Sequence, residues 1–285
     1  MSSRPETLTL RVRGLEFDAL VAGPETGPLV LLLHGWPEFA DSWAPALEEL
    51  ATAGYRALAV NQRGYSPGAR PEDPEAYALA ETTADALAFA DSQGADTFHL
   101  VGHDWGGIIG WYLAGEYPER LRSLSVLSTA HPLAVSQAMA EDPEQRRRFA
   151  YIRFFREPEQ AAEKALLAEE GKALSEVYEG RVPPELAERY VRRLSEPGAL
   201  TASLNWYRAM EGGPNLQARR TTVPTLYVWG SEDVAFSREM AEATGDHVDA
   251  PYRFHPLEGA SHWLPEEVPE RINLLLLEQL AAYRG

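Results

Sequence analysis

The ten residues from Val101 to Gly110, VGHDWGGIIG, constrain this chain more than any other stretch. A short apolar segment, Phe98 to Val101, leads in, bounded by Gly94 and Gly102. A helical pattern of Ile108, Ile109, Trp111, Tyr112 and Ala114 leads out. The spacing predicts strand, tight turn and helix. Gly102 stands two residues before Asp104 and Gly106 two after, with Gly107 next. A turn of the form Gly-x-nucleophile-x-Gly is sharp and strained, and it pushes its central side chain above the sheet. Glycines serve there because a Cβ would meet the neighbouring strand and helix. Taken alone, the stretch also fits a Gly-rich turn whose acid caps a helix.

The rest of the chain places this turn. Thr7 to Val12 and Leu15 to Val21 alternate around Arg13-Gly14, which predicts a hairpin. Leu29 to Leu33 is a continuous apolar run, as expected for a strand buried on both faces of a parallel sheet. A helix is expected from about Ser42 to Thr52, a strand from Tyr55 to Val60, a helix from Pro74 to Gln93 and a strand from Leu121 to Leu127. Strands alternating with helices imply right-handed crossovers and a mostly parallel sheet. After Ser128 the texture changes. From Leu133 to about Arg220 no strand pattern appears, and runs such as Pro158 to Glu170 and Pro184 to Leu194 read as helical. The alternation resumes with strands at Val223 to Trp229 and Tyr252 to Leu257, a helix near Ser237 to Ala243 and a last helix at Pro269 to Tyr283. The expected organisation is an α/β core of residues 1–132 and 221–285, interrupted by an all-helical cap of residues 133–220.

Composition narrows the function. Of the 285 residues 45% are hydrophobic and 24% charged, so a sizeable core is available. The net charge of −17 disfavours nucleic acid and anionic membranes as partners, because their phosphates would be repelled. There is no cysteine, hence no disulfide framework, thiolate metal site or Cys nucleophile. The N-terminal residues MSSRPETLTL carry no signal-peptide core, and no apolar run approaches a membrane span, so a cytoplasmic enzyme is expected. The histidines lack metal-ligand spacing, and no metal or cofactor is implied.

Sites of open α/β sheets lie beyond the carboxyl ends of the strands. Four such ends carry suggestive residues. His34-Gly35-Trp36-Pro37 can aim the Trp36 backbone N–H at a developing negative charge, with the Trp105 N–H as second donor. Asp104 is the second. Asp233, in Gly230-Ser231-Glu232-Asp233, can orient a histidine, and Glu232 competes with it for that role. His262, in Gly259-Ala260-Ser261-His262-Trp263, is the fourth. The order Asp104, Asp233, His262 is nucleophile, acid, base, an order compatible with one site built from distant strand ends.

The chain resembles the α/β-hydrolase fold epoxide hydrolases of the soluble type, over nearly its whole length. His34-Gly35-Trp36-Pro37-Glu38, Gly102-His103-Asp104-Trp105-Gly106-Gly107 and His262-Trp263 carry the likeness. The segments Phe149-Ala150-Tyr151 with Phe155-Arg156-Glu157-Pro158, and Asn205-Trp206-Tyr207-Arg208-Ala209-Met210-Glu211, resemble those bearing the two lid tyrosines. The resemblance implies a cis peptide between Trp36 and Pro37. It implies that Tyr151 and Tyr207 hang from the lid and bind the epoxide oxygen, and that a substrate lies among Trp36, Trp105, Tyr151 and Tyr207. Asn61 departs from it, since relatives often have Asp there. His103 is expected to satisfy loop hydrogen bonds, and Arg146-Arg147-Arg148 to form a solvated face.

The partners so implied are a small epoxide and water, and a homodimer is compatible with the reading. Two alternatives stay open at this point. A dehalogenase of the same fold would use the same Asp, with halide as leaving group. A ligand-binding protein on a retired hydrolase scaffold would use none of this chemistry.

Overall fold

In a computed structural model, which describes residues 4–210 and 219–284, eight strands form one sheet. They are β1 (Glu6–Val12), β2 (Leu15–Ala22), β3 (Leu29–Leu33), β4 (Arg56–Val60), β5 (Phe98–His103), β6 (Leu121–Leu127), β7 (Thr225–Gly230) and β8 (Tyr252–Leu257). Their spatial order is β1-β2-β4-β3-β5-β6-β7-β8. The first two strands pair antiparallel around a turn in which Arg13 and Gly14 both have positive φ, and β2 pairs antiparallel with β4. All remaining pairs are parallel. Every residue of β3, β5 and β7 is buried, as expected of strands whose two faces are both covered by helices.

Those helices are α1 (Ala44–Thr52), α2 (Leu79–Ser92) and α3 (Trp105–Glu116). Between β6 and β7 the described elements are helices only: α4 (Pro132–Glu141), α5 (Pro143–Arg148), α6 (Ala150–Phe155), α7 (Ala161–Leu166), α8 (Ala168–Glu176), α9 (Pro184–Leu194) and α10 (Ala199–Arg208). The core resumes with α11 (Arg238–Ala243), α12 (Leu264–Glu267) and α13 (Pro269–Ala282). Among the described residues no helix is long and apolar enough to cross a membrane. Glu211, the last residue of the second tyrosine segment, lies outside the described residues.

Two expected helices break. The run from Pro74 to Gln93 splits into a 3₁₀ turn, Pro74–Tyr77, and α2, because Ala78 is extended at ψ 148°. Tyr77 is buried there and donates to the Pro71 carbonyl at 2.8 Å, so tertiary anchoring overrides the helical pattern. The run from Pro158 to Glu170 ends in left-handed backbone at Glu169, Glu170 and Gly171, which turns the chain between the start of α8 and its remainder.

The helical segment sits on the carboxyl edge of the sheet through named contacts. Tyr178 donates to the Pro37 carbonyl at 2.9 Å, and the Trp206 indole to the Arg63 carbonyl at 2.8 Å. Arg189 and Arg193 of α9 both reach the Asp41 carboxylate.

Candidate active site

Asp104 stands at the start of α3 with φ 49° and ψ −115°, a backbone conformation that an L-residue adopts only under restraint. Crowding supplies the restraint. A Cβ on Gly102 would run into the carbonyl of Gly106, and one on Gly106 into the carbonyl of Leu33. Strand and helix thus touch backbone to backbone, and the aspartate is forced out of the turn. Its carbonyl accepts from Thr129 Oγ1 at 3.0 Å and from the Ile108 N–H at 3.0 Å.

The Trp36 N–H donates to Asp104 Oδ1 at 2.9 Å, and the Trp105 N–H also bonds this carboxylate. Trp36 is joined to Pro37 by a cis peptide. The turn bearing Trp36 is fixed from behind: the His34 carbonyl accepts from Gly106 N at 3.2 Å and from Gln62 Nε2 at 2.7 Å. Burial raises the Asp104 pKa above the ordinary range, against the opposing pull of His262, His103 and the two N–H donors.

His262 lies between two carboxylates. Its Nδ1 is 3.0 Å from Asp233 Oδ2, and its Nε2 is 3.8 Å from Asp104 Oδ2. Asp233 Oδ1 accepts from the N–H groups of Ala235 at 2.7 Å and Phe236 at 2.9 Å, which aims the second oxygen at the imidazole. Burial opposes charge on His262. The hydrogen-bonded Asp233, then Asp104 and Glu38, outweigh it and push the pKa up to about 9. Of the two candidate acids, the structure brings Asp233 to the histidine. Glu232 turns outward and pairs with Arg181.

Tyr151 of α6 and Tyr207 of α10 come down over Asp104. Their rings are 6.1 Å apart, and Tyr207 also packs edge-on against Trp105 at 5.1 Å and Trp36 at 5.9 Å. Burial first, and nearby Asp104 among the further causes, raise both phenols above their ordinary pKa, so both are neutral donors at pH 7. Two cavities share Asp104, Tyr151 and Tyr207 as lining. The first continues past Ile108, Val135 and Phe149, and the second past Trp36, Phe155 and His262. A small apolar molecule in either lies against the carboxylate and under the phenols.

His103 is fully buried, with Nδ1 2.9 Å from Glu38 Oε2 and Nε2 2.8 Å from the His262 carbonyl. Glu38 also accepts from the Gly35 N–H at 2.9 Å. Sequence reasoning missed Glu38 as a functional support, although its place next to the Trp36 turn was a signal. It also missed the buried Glu266. Burial and then Glu38 raise the Glu266 pKa well above the carboxylate range, while His103 and Gly35 hold Glu38 below that range despite its burial. Asn61 is a scaffold residue, its Oδ1 accepting from the Ala40 N–H at 2.8 Å. The basic run is not uniformly solvated. Arg147 is exposed, but Arg148 donates to the Asp233 carbonyl at 2.9 Å because α5 docks on that loop.

The pattern of the family described as alpha/beta hydrolase fold matches residues 28–269. The chain belongs to the α/β-hydrolase family. It is 34% identical to the AB hydrolase superfamily protein YfhM of Bacillus subtilis, covering 95% of this chain and 96% of that one. It is 36% identical to epoxide hydrolase 4 of Mus musculus, over 92% of this chain and 76% of the relative. Among solved structures, epoxide hydrolase A from Mycobacterium thermoresistibile superposes with a TM-score of 0.84 at 28% identity, over 97% of this chain and 98% of that one. Within the family, then, the chain stands with the epoxide hydrolases.

Proposed function

We propose that this protein is an epoxide hydrolase that makes vicinal diols through a covalent ester on Asp104. The observation that carries the reading is the placement of an ionisable carboxylate, held by two backbone N–H groups, beneath two buried phenols and beside His262. A carboxylate needs no base to become a nucleophile at neutral pH, which suits displacement at saturated carbon.

Oδ1 of Asp104 is occupied by the Trp36 N–H, so Oδ2 attacks. It forms a bond to one ring carbon while the C–O bond of the epoxide breaks. The leaving ring oxygen is a stronger base than a phenolate, so Tyr151 or Tyr207 gives it a proton. Water then adds to the Asp104 carboxyl carbon, and His262 Nε2 takes its proton while Asp233 stabilises the imidazolium. The negative charge forms on the aspartate's own oxygen, facing the Trp36 and Trp105 N–H groups. Loss of one such donor typically raises the barrier by about 3 kcal/mol. The ester C–O bond breaks, His262 protonates the departing alkoxide, and the proton left on the Asp104 carboxyl group passes through solvent to the tyrosinate, restoring the carboxylate. The sum is epoxide plus water giving diol. The division into a core of residues 1–132 and 221–285 and a lid of 133–220 belongs to this proposal, because the lid supplies the acids and the core the rest.

A single turnover in heavy-oxygen water tests it. Label enters Asp104 and reaches diol only after repeated cycles. Label in the diol of the first turnover overturns the covalent route. A panel of epoxides set beside haloalkanes decides the leaving group, and halide release without diol would replace this reading by dehalogenation.

A further inference from the structure

The loop that carries the acid is held by the helical segment as much as by the sheet. Residues 232–237 leave β7 and pass over its end. Core contacts are few: Glu232 N donates to the Ala260 carbonyl at 2.9 Å, and the Trp229 indole donates to the Phe236 carbonyl at 2.9 Å. Asp233 N also donates back to the Gly230 carbonyl at 3.1 Å, while the Asp233 and Ala235 carbonyls and the Ser237 N–H turn upward to α5. Gln145 of α5, fully buried, donates from Nε2 to the Ala235 carbonyl at 2.7 Å and accepts from the Ser237 N–H at 3.2 Å. Arg148, one turn further along α5, donates to the carbonyl of Asp233 itself at 2.9 Å.

A third residue reaches both loops of the site. Arg181, just beyond α8, pairs with Glu232 and, at 2.8 Å, with Glu267 Oε1. The other oxygen of Glu267 accepts from Ser261 N at 2.7 Å and Ser261 Oγ at 2.6 Å, next to His262. One guanidinium therefore ties the acid loop to the base loop.

We propose that Gln145, Arg148 and Arg181 are positioning residues for the hydrolytic half of the reaction: they hold the Asp233 loop so that its carboxylate meets His262. Apart from the Arg148–Glu144 pair within α5, their side-chain hydrogen bonds and ion pairs go to the acid loop and to Glu267 behind the base loop, and none goes to Asp104 or the phenols. The first half, attack by Asp104, needs no base and is insensitive to them. The second half needs the Asp233–His262 pair in register, and a misplacement near 1 Å can cost on the order of 10²-fold. The inference rests on the covalent reading above, since only a two-step reaction can be split in this way.

The experiment is rapid quench with intact-protein mass measurement on wild type, Gln145→Met and Arg181→Gln, using styrene oxide or whichever panel epoxide turns over. Met conserves volume and removes both hydrogen bonds of Gln145, and Arg181 is partly exposed, so its variant folds even where the buried one does not. The expected result is alkylation within a few-fold of wild type, ester hydrolysis slowed by about 10- to 100-fold, and alkyl-enzyme accumulating. Both steps falling together, or neither moving, overturns the positioning role and leaves the covalent route standing. No alkyl-enzyme in wild type or in any variant overturns the covalent route, and this inference with it.

Discussion

The Nε2 of His262 stands 3.8 Å from Oδ2 of Asp104, beyond hydrogen-bond range. Its opposite nitrogen is taken by Asp233 at 3.0 Å. The imidazole is thus anchored to one carboxylate while its free nitrogen faces the other across a short gap. Charge couples the pair across that gap, since Asp104 is among the groups that push His262 up to about 9.

On the proposed route, esterification of Asp104 removes that negative charge, so the His262 pKa falls when the intermediate forms. The base becomes available at the step that needs it. The hydrolysis rate rises with pH as His262 loses its proton, with a midpoint below the one NMR titration finds for His262 in the free enzyme. Asp233→Asn removes a second anion and lowers both midpoints. A hydrolysis midpoint at or above the free-enzyme value contradicts the coupling. Stability follows the same group. Its folded pKa exceeds the unfolded 6.5, so its stabilisation is complete below pH 6.5 and is lost as pH rises through about 9.

On the proposed route the phenols act only on ring opening. Tyr151→Phe and Tyr207→Phe each slow alkylation by about 10²-fold, and the double variant by about 10⁴-fold, within the range of general acids. Hydrolysis of a preformed ester stays within a few-fold. Rapid-quench rates for the two steps check this, and a double variant that alkylates normally sinks the assignment.

Gly35→Ala damages function more than fold. A Cβ at position 35 would come within 2.7 Å of Asp104 Oδ1, on the side where Trp36 N donates. Turnover falls by about 10²-fold or more as the carboxylate is displaced, while unfolding free energy drops by about 1–3 kcal/mol, the usual range for overpacking. Steady-state kinetics beside urea unfolding separates the two effects.

Glu38 is fully buried between His103 and Glu266, and its two neighbours make the carboxyl groups unequal to mutation. Glu38→Gln takes the carboxylate away from the buried His103 and from the Gly35 N–H, and costs about 1–3 kcal/mol in urea unfolding. Glu266→Gln keeps a hydrogen-bond donor toward Glu38 in place of a neutral carboxylic acid, and stays within about 1 kcal/mol. Equal costs would show that Glu266 is ionised.

Much of this site was legible in the residues themselves. Continuous apolar runs such as Leu29 to Leu33 mark strands buried on both faces, and the residues just after each run stand at a carboxyl end. That is why Trp36, Asp104, Asp233 and His262 were traceable to one edge of the sheet without coordinates. The glycines around Asp104 announced a turn too tight for a Cβ, and the Gly102 and Gly106 contacts explain why.

The tertiary structure alone decided the pairing. Asp233 and Glu232 are neighbours in sequence, and only the hydrogen bonds from Ala235 and Phe236 aim one at His262 while Arg181 draws off the other. Local pattern likewise missed the breaks at Ala78 and Glu169, where a buried tyrosine and a reversed backbone override helical spacing. It missed Glu38 with His103, 65 positions away, and Gln145 with Ala235, 90 positions away. Periodicity and glycine placement are consequences of nearest neighbours along the chain, so they can be read from it. The partner of a buried polar group is chosen by whichever distant backbone packing brings within 3 Å, and no local pattern records that choice.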